Sequence, residues 1–546
     1  MLAAGLLTAS PLRAQPAGSC EVRTPLGRVR GLRAGGADSY LGIPYAGGVS
    51  GANRFKAATP VASWRDAYDA THLRPGSMQR TDKSWAPGEP PNAEECLFLD
   101  VWTPTGAKPG RPVMVYSHGG GVTLGSSGTI YANGAHLAAH QDVVVVSTNH
   151  RLGLLGFLYL DALGGEEYAG SGNRGVCDIA LALEWVQQNI EAFGGDPGNV
   201  MIFGESGGGL KTSCLYAMPA AAKTFHKASI ESGPGIRLME PALAAENTER
   251  VLRSLGLDRS TWRRLADIPA QRILDAQVQL ARDRAAVSAF RGAQGIGAVG
   301  LEGIGPVLDG HVFTAHPFDP QAPAISRHKP LITGGNAEEG TFFAFMYGDL
   351  GALKLDEAGL LARARKEVGD AAPDLVAAYR KDRPGASPSQ VYVAMVSALF
   401  SGVGARTIAE RKIAQGGAPV YLYSLTYKRG DLVPGTDYPF GALHGLDMAI
   451  KFDNPDPPPA DTGLAPLAGL RPERFAICRT MSELWANFAR TGKPSAADQP
   501  EWPAYSLVTR AVMNIDVPCR VENDPHPAER AFWDSHSLLS PAAGVA

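Results

Sequence analysis

The chain has 546 residues, of which 45% are hydrophobic and 19% charged, and its formal net charge is −3. This balance is ordinary for a globular protein with a large core. The near-neutral charge, without a basic block, does not favour nucleic acid or an anionic membrane surface as a partner. No stretch of about 18 consecutive apolar residues occurs, so the sequence predicts no membrane span.

The chain begins with MLAAGLLTASPLRAQPAG, a short apolar stretch followed by small residues. This pattern is typical of an export signal that ends at Ala14, although a basic start is missing. We interpret residues 1–19 as an export signal or a disordered tail and residues 20–546 as a single domain. Export would place the protein in the periplasm or outside a bacterial cell.

Strand and helix patterns alternate through the first half of the chain. PVMVY at residues 112–116 and VVVVS at 143–147 are apolar runs typical of strands buried on both faces of a parallel sheet. A helical pattern over 178–193 ends at Gly194, and NVMIFG at 199–204 is the next buried strand. The helix after it ends before Pro219. This alternation predicts an α/β fold with a mostly parallel central sheet flanked by helices.

The second half of the chain adds helical segments to this plan. Residues 240–298 are charged and helical in pattern and are predicted to cap the sheet, and residues 355–415 are also predicted to be helical. KPLITGGN at 329–336 and APVYLYSLTY at 418–427 are predicted strands. An amphipathic helix is predicted over 474–491.

The stretch GESGGGLKTS, residues 204–213, resembles two motifs. A phosphate-binding loop needs a glycine directly before the lysine. Here Leu210 separates Gly209 from Lys211, and one residue turns a helical side chain by about 100°. The other motif, Gly-x-Ser-x-Gly, is complete at residues 204–208. Its position between a strand and a helix favours Ser206 as a nucleophile held in a sharp turn.

A serine nucleophile needs an oxyanion hole, a base and an orienting carboxylate. The glycines of SHGGGV, residues 117–122, follow a predicted strand and can supply backbone N–H groups. In α/β folds that carry such a serine turn, the chain order of the catalytic residues is serine, acid, histidine. Glu338 and Glu339 are the acid candidates. His444, between glycines in GALHGLD, is favoured as the base over the later His526 and His536.

These stretches, in this order, closely resemble the type-B carboxylesterases, the carboxylesterase/cholinesterase-like branch of the α/β-hydrolases, and their bacterial members in particular. The similarity runs from about Gly27 to Trp533 and includes YLGIPYA, EECLFLDVWTP, NHRLGLLGFL, NAEEGTFF and WANFARTGKP. The resemblance implies an α/β-hydrolase fold with helical cap insertions. It also implies hydrolysis of small-molecule carboxylic esters, with water as the final acceptor and no cofactor or metal.

The resemblance implies specific roles for residues of this chain. Ser206 would be the nucleophile, Glu339 rather than Glu338 the acid, and His444 the base. The oxyanion hydrogen bonds would come from the backbone N–H groups of Gly120, Gly121 and Gly207. Hydrolysis would then proceed through an acyl-enzyme. An amidase or carbamate hydrolase with the same triad, and a non-catalytic binding protein on this fold, are the alternatives.

Several positions depart from the family's pattern. The family's cysteine partner for Cys96 would fall near Ser77, so that disulfide is expected to be absent. Cys478 and Cys519 could pair in an exported protein, which their spacing does not decide. No Cys-x-x-Cys pair occurs among the six cysteines, so no zinc or redox motif is predicted. Trp85, where cholinesterases bind choline, is interpreted as a packing residue.

Lys211 replaces a residue that is usually small in the family. A cation is unfavourable near a helix N-terminus, and an unpaired buried ammonium is costly. We therefore predict a buried ion pair, with Glu205, Asp178 or Glu231 as the partner. The alternative is that Lys211 reaches the pocket and selects esters that bear a free carboxylate. The aromatic residues Phe342, Phe343 and Phe345 either line an acyl pocket or belong to the core.

Overall fold

A computed structural model of the protein describes residues 18–80, 90–106, 108–283, 303–456 and 466–536. The strands of this part of the chain are β1 Gly18–Thr24, β2 Gly27–Ala34, β3 Ala37–Pro44, β4 Tyr68–Asp69, β5 Gly76–Ser77, β6 Asn92–Ala93, β7 Phe98–Pro104, β8 Arg111–Ser117, β9 Val144–Thr148, β10 Gly195–Glu205, β11 Lys227–Glu231, β12 Leu331–Asn336, β13 Val420–Leu425, β14 Ala511–Ile515 and β15 Arg520–Asn523.

The main sheet has the strand order β1-β2-β3-β7-β9-β8-β10-β11-β12-β13-β14-β15. The central strands from β9 to β14 run parallel, and antiparallel strands flank them on both sides. The predicted mostly parallel sheet is therefore confirmed. Because parallel strands end at one edge, the loops after β8, β10, β12 and β13 meet there, which is where α/β folds place their sites.

Side chains of the central strands alternate between the two faces of the sheet. In β8, Val113 and Val115 pack into one hydrophobic core, whereas Met114 and Tyr116 pack into the other. All four side chains are buried. Both faces are covered by helices, and this double burial explains the uninterrupted apolar runs in the sequence.

The α-helices within the described ranges surround this sheet. They span Ala135–Gln141, Gly153–Phe157, Asp161–Gly164, Arg174–Asn189, Gly207–Ala217, Pro241–Ser254, Ala270–Arg282, Glu339–Met346, Glu357–Val368, Ala372–Asp382, Pro388–Ser397, Val403–Gln415, Leu446–Lys451, Arg474–Thr491 and Pro527–Ser535.

The predicted helical insertions are confirmed where the structure describes them. Two helices lie within 240–298, although 284–302 is outside the described residues, and four lie within 355–415. The stretch Pro388–Gln415 is long and apolar enough to cross a membrane by length and composition alone. Most of its apolar window, 61%, is buried inside the protein, and buried core helices pass the same test.

The N-terminal prediction lies largely outside the described residues, because residues 1–17 are not among them. The strand β1 begins at Gly18, so the last two residues of the predicted segment 1–19 belong to the sheet. Gly18 pairs with Arg33 and Ser19 with Leu32 in β2. Trp85 also lies outside the described residues.

Candidate active site

Ser206 occupies a tight turn between β10 and the helix Gly207–Ala217. Its backbone has φ +58° and ψ −124°, a strained conformation for a residue with a side chain. The turn is closed by neighbours that must lack a side chain: a Cβ on Gly208 would lie 2.0 Å from the Ser117 carbonyl oxygen, and one on Gly204 2.5 Å from the Gly208 backbone. The Ser206 amide donates to the Glu231 carbonyl at 2.9 Å. The turn thus presents Ser206 at the carboxyl edge of the sheet.

The structure brings Ser206, His444 and Glu339 into one chain of hydrogen bonds. His444 Nε2 lies 2.9 Å from Ser206 Oγ, and His444 Nδ1 lies 2.5 Å from Glu339 Oε2. The other oxygen of Glu339 accepts hydrogen bonds from the Asn336 amide at 2.9 Å and from Ser401 Oγ at 3.0 Å. These donors fix the carboxylate, so its free oxygen can orient the imidazole.

The adjacent Glu338 points elsewhere. Its Oε2 accepts a hydrogen bond from the Ala442 amide at 2.8 Å, and its Oε1 lies 3.2 Å from Lys428 Nζ. In return, the Glu338 amide donates to the Ala442 carbonyl at 3.0 Å. Glu338 therefore anchors the loop that carries His444, a role that the sequence analysis did not identify.

A second carboxyl group lies beside the imidazole. Glu205, directly before the nucleophile in sequence, places Oε1 3.2 Å from His444 Nδ1. Burial raises the pKa of Glu205 to about 8, although the nearby imidazole acts against this shift. Burial also opposes protonation of His444, but the charges of Glu205 and Glu339 outweigh it and raise the pKa of the imidazole to about 9. Glu205 and Glu339 together therefore stabilise the imidazolium form of His444 more than Glu339 alone would.

The predicted oxyanion glycines lie next to Ser206. Gly120 and Gly121 adopt positive φ values of +85° and +62° in the loop after β8. A Cβ placed on Gly207 would lie 2.0 Å from the Gly121 carbonyl oxygen, so the loop packs directly on the start of the nucleophile helix. Gly207 is the first residue of that helix, and N–H groups in the first turn have no acceptor within their helix. The arrangement leaves this amide available to a bound oxyanion.

The predicted ion pair of Lys211 is wrong. Its ammonium lies 2.9 Å from His150 Nε2 and donates to the Gly121 carbonyl oxygen at 3.3 Å. Each proposed partner is engaged elsewhere: Glu205 with His444, Asp178 with Arg151, and Glu231 with Lys451. The sequence did not show that His444, Arg151 and Lys451, from other parts of the chain, would take these three carboxylates in place of Lys211. The side chain of Lys211 is 0% exposed, which also disfavours the alternative that it meets the substrate's carboxylate.

Aromatic side chains form one wall of the site around the imidazole. The ring centroids of Phe342, Phe343 and Phe400 lie 5.4, 5.1 and 4.8 Å from that of His444. Phe345 instead packs edge-on against Phe440 and is 39% exposed. Phe400 belongs to a separate helical segment, and the sequence pattern gave no signal for its position.

In the part of the chain that the structure describes, the cysteines and one acidic cluster suggest no further chemistry. All six cysteines are free, so Cys478 and Cys519 do not pair here. Burial raises the pKa of Cys96 to about 12, and Ser77 is its hydrogen-bond partner, at the position where the family's second cysteine was expected. Asp382, His526 and Glu529 could together approach a metal ion. Glu529, however, is held by Arg383 at 2.6 and 3.1 Å.

The mostly parallel sheet, with a serine in a tight turn at its carboxyl edge, places the protein among the α/β-hydrolases. The sequence pattern of the carboxylesterase family matches residues 18–533. The chain belongs to this family and is a carboxylic ester hydrolase.

Known relatives cover nearly the whole chain. A para-nitrobenzyl esterase of Bacillus subtilis is 33% identical over an alignment of 515 residues that covers 93% of this chain and 97% of the relative. A phenmedipham hydrolase of Pseudarthrobacter oxydans is 31% identical over 90% of this chain and 94% of its own. The crystal structure of a Geobacillus stearothermophilus carboxylesterase superposes with a TM-score of 0.78 at 34% identity, covering 94% of this chain and 99% of that one.

Proposed function

We propose that the protein hydrolyses carboxylic esters through an acyl-enzyme on Ser206, with His444 as general base and Glu339 as the acid that orients it. The observation that carries this proposal is the continuous hydrogen-bond chain from Ser206 Oγ through both ring nitrogens of His444 to Glu339 Oε2. Nucleophile, base and orienting group within hydrogen-bond reach are the mark of an activated serine.

The steps follow from this geometry. His444 Nε2 takes the Ser206 proton as Oγ attacks the ester carbonyl, and the oxyanion receives hydrogen bonds from the amides of Gly120, Gly121 and Gly207. The imidazolium then protonates the leaving alcohol. In the second half, His444 deprotonates a water that attacks the acyl-enzyme, and collapse releases the carboxylic acid and restores Ser206.

The aromatic wall favours substrates with an apolar group next to the ester carbonyl. Phe342, Phe343 and Phe400 surround the base without a charged group among them. Apolar contact there would exclude water from the reacting carbonyl and strengthen its hydrogen bonds. We expect short alkyl and aryl esters to be hydrolysed faster than esters with a charged acyl chain.

The nucleophile is tested by Ser206→Ala. Hydrolysis of p-nitrophenyl acetate should fall by a factor on the order of 10⁴ to 10⁶, because loss of a triad member removes the covalent route. The matched control is Ser213→Ala, which removes a buried hydroxyl of the same helix whose partners are the backbone of Gly209 and Gly235. A Ser206→Ala protein that is folded, free of contaminating esterase and as fast as the parent would refute the proposal. Running p-nitroacetanilide in parallel tests the amidase alternative.

A further inference from the structure

Lys211 occupies a position that disfavours a lysine. It lies in the first half of the helix Gly207–Ala217, and its side chain is 0% exposed. The helix macrodipole repels a cation there, and burial without a counter-charge adds a larger cost. Burial accordingly lowers the pKa of the ammonium to about 7. A buried lysine without a counter-charge costs stability, and proteins commonly bear such a cost where a residue serves activity. The placement of Lys211 therefore points to a role other than stability.

The two acceptors of Lys211 among the described residues are both uncharged. The Gly121 carbonyl oxygen lies 3.3 Å and His150 Nε2 2.9 Å from its Nζ. In its ammonium form Lys211 can only donate, so Nε2 of His150 then accepts and the ring proton lies on Nδ1. Burial, together with the charge of Lys211, keeps the pKa of His150 well below its usual range. The ring of His150 is in turn stacked on that of His118, with centroids 4.4 Å apart.

The Gly121 carbonyl oxygen connects the buried amine of Lys211 to the loop of the oxyanion hole. The carbonyl of Gly121 is confined from one side by Gly207, whose missing side chain allows the close approach. From another side it accepts the Lys211 hydrogen bond. Consecutive glycines have wide backbone freedom, so a loop of this composition has several competing peptide orientations. A fixed carbonyl at Gly121 removes many of them.

We propose that Lys211 is a positioning residue for the oxyanion hole, and that its hydrogen bond to the Gly121 carbonyl holds the loop of Gly120 and Gly121 in the orientation that receives the oxyanion. His150 holds the ammonium in place as its second acceptor. The inference rests on the proposed function, in which this loop donates to the tetrahedral intermediate. Preorganised donors are effective because they need not reorient during the reaction.

The test is Lys211→Met, which keeps most of the side-chain length and removes the donor. We expect kcat for p-nitrophenyl acetate to fall by about 10- to 100-fold, less than the ~10²- to 10³-fold cost of deleting one oxyanion donor. KM should stay unchanged, because the ester carbonyl oxygen of the substrate gains its negative charge only in the transition state. The affinity for an aryl trifluoromethyl ketone, which forms an anionic adduct on Ser206, should fall by a similar factor. The melting temperature should stay the same or rise, since a buried cation is removed.

Lys412→Met is the matched control. Lys412 is also 0% exposed and donates to backbone carbonyls, those of Ser326 at 3.0 Å and Arg327 at 2.7 Å. Its replacement should leave kcat and ketone affinity at the parent values. Any general effect of losing a buried lysine would show in this control.

The possible results for Lys211→Met distinguish a positioning role from a merely structural one. Parent kcat and parent ketone affinity in Lys211→Met would overturn the inference, whatever the melting temperature. A fall in kcat without weaker ketone binding would overturn it too, since the loss would then lie outside the oxyanion hole. If Lys211→Met does not fold, Lys211→Leu, which also lacks a donor, is measured in the same way, and failure of both to fold would make the lysine structural. Active Ser206→Ala protein would instead refute the proposed function itself.

Discussion

Glu205 should control the pH dependence of the enzyme. A proton acceptor must be neutral to work, so kcat/KM should rise with pH as His444 loses its proton. From sequence alone the transition is expected near the histidine range of about 6 to 7. The structure places this transition at a higher pH. Burial opposes protonation of His444, but the charges of Glu205 and Glu339 outweigh it and raise the pKa of His444 to about 9.

The size of the Glu205 contribution follows from its distance. Two unit charges 3.2 Å apart interact by about 1.3 kcal/mol even at the dielectric constant of water, which corresponds to about one pH unit. Burial strengthens this interaction, whereas partial protonation of Glu205 weakens it. We therefore expect Glu205→Gln to move the acid limb of kcat/KM to lower pH by about one unit.

The same substitution should lower the plateau at high pH. The charge that raises the pKa of the imidazole also stabilises the imidazolium formed in the transition state. The profiles of parent and variant should therefore cross, with Glu205→Gln faster in acid and slower in alkali. The assay is kcat/KM for p-nitrophenyl acetate from about pH 5 to about pH 10. Glu529→Gln, which removes a buried carboxylate paired with Arg383, is the control and should not move the limb. An acid limb that stays in place or moves upward in Glu205→Gln would refute this reasoning.

Two further predictions concern the acid and the buried charges. Glu339→Gln should lower kcat by about 10⁴-fold through loss of the carboxylate that orients His444, while Glu338→Gln should lower it far less; the reverse order in the same esterase assay would mean that Glu338 is the acid. Lys451→Met should lower the free energy of unfolding by about 3–5 kcal/mol in denaturant titrations, because it leaves the fully buried carboxylate of Glu231 without its cation. Parent stability in that variant would show that the carboxyl of Glu231 is protonated in the folded protein.

The sequence was most informative where one local pattern determines the structure. The strand β9 is fully buried and begins with three consecutive valines, a composition typical of a strand covered on both faces. The turn at Ser206 was equally readable, because it requires glycine at both Gly204 and Gly208. The proximity of His444 to Ser206 was expected from chain order and resemblance, and the structure places the two atoms within hydrogen-bond distance.

The sequence was least informative about which charges meet in the interior. Three carboxylates were plausible partners for Lys211, and each pairs with a group far from it in sequence. Nothing in the local pattern indicated that Glu205 would share His444 with Glu339. These pairings depend on the relative positions of several strands and loops, and a cation's nearest neighbour in space has no fixed spacing along the chain.

Glu338 gives the protein a separate weak point for activity. The long loop after β13 brings His444 to the nucleophile, and its last turn is clasped to Glu338 by two reciprocal hydrogen bonds with Ala442. Ala442 and Leu443 also belong to the hydrophobic core on one face of the sheet, so the loop is held by packing as well as by the clasp. Local openings of a loop need less free energy than global unfolding. Substitutions that improve packing at this loop would therefore prolong the life of the catalyst, whereas substitutions in the core on the other face would prolong only the life of the fold.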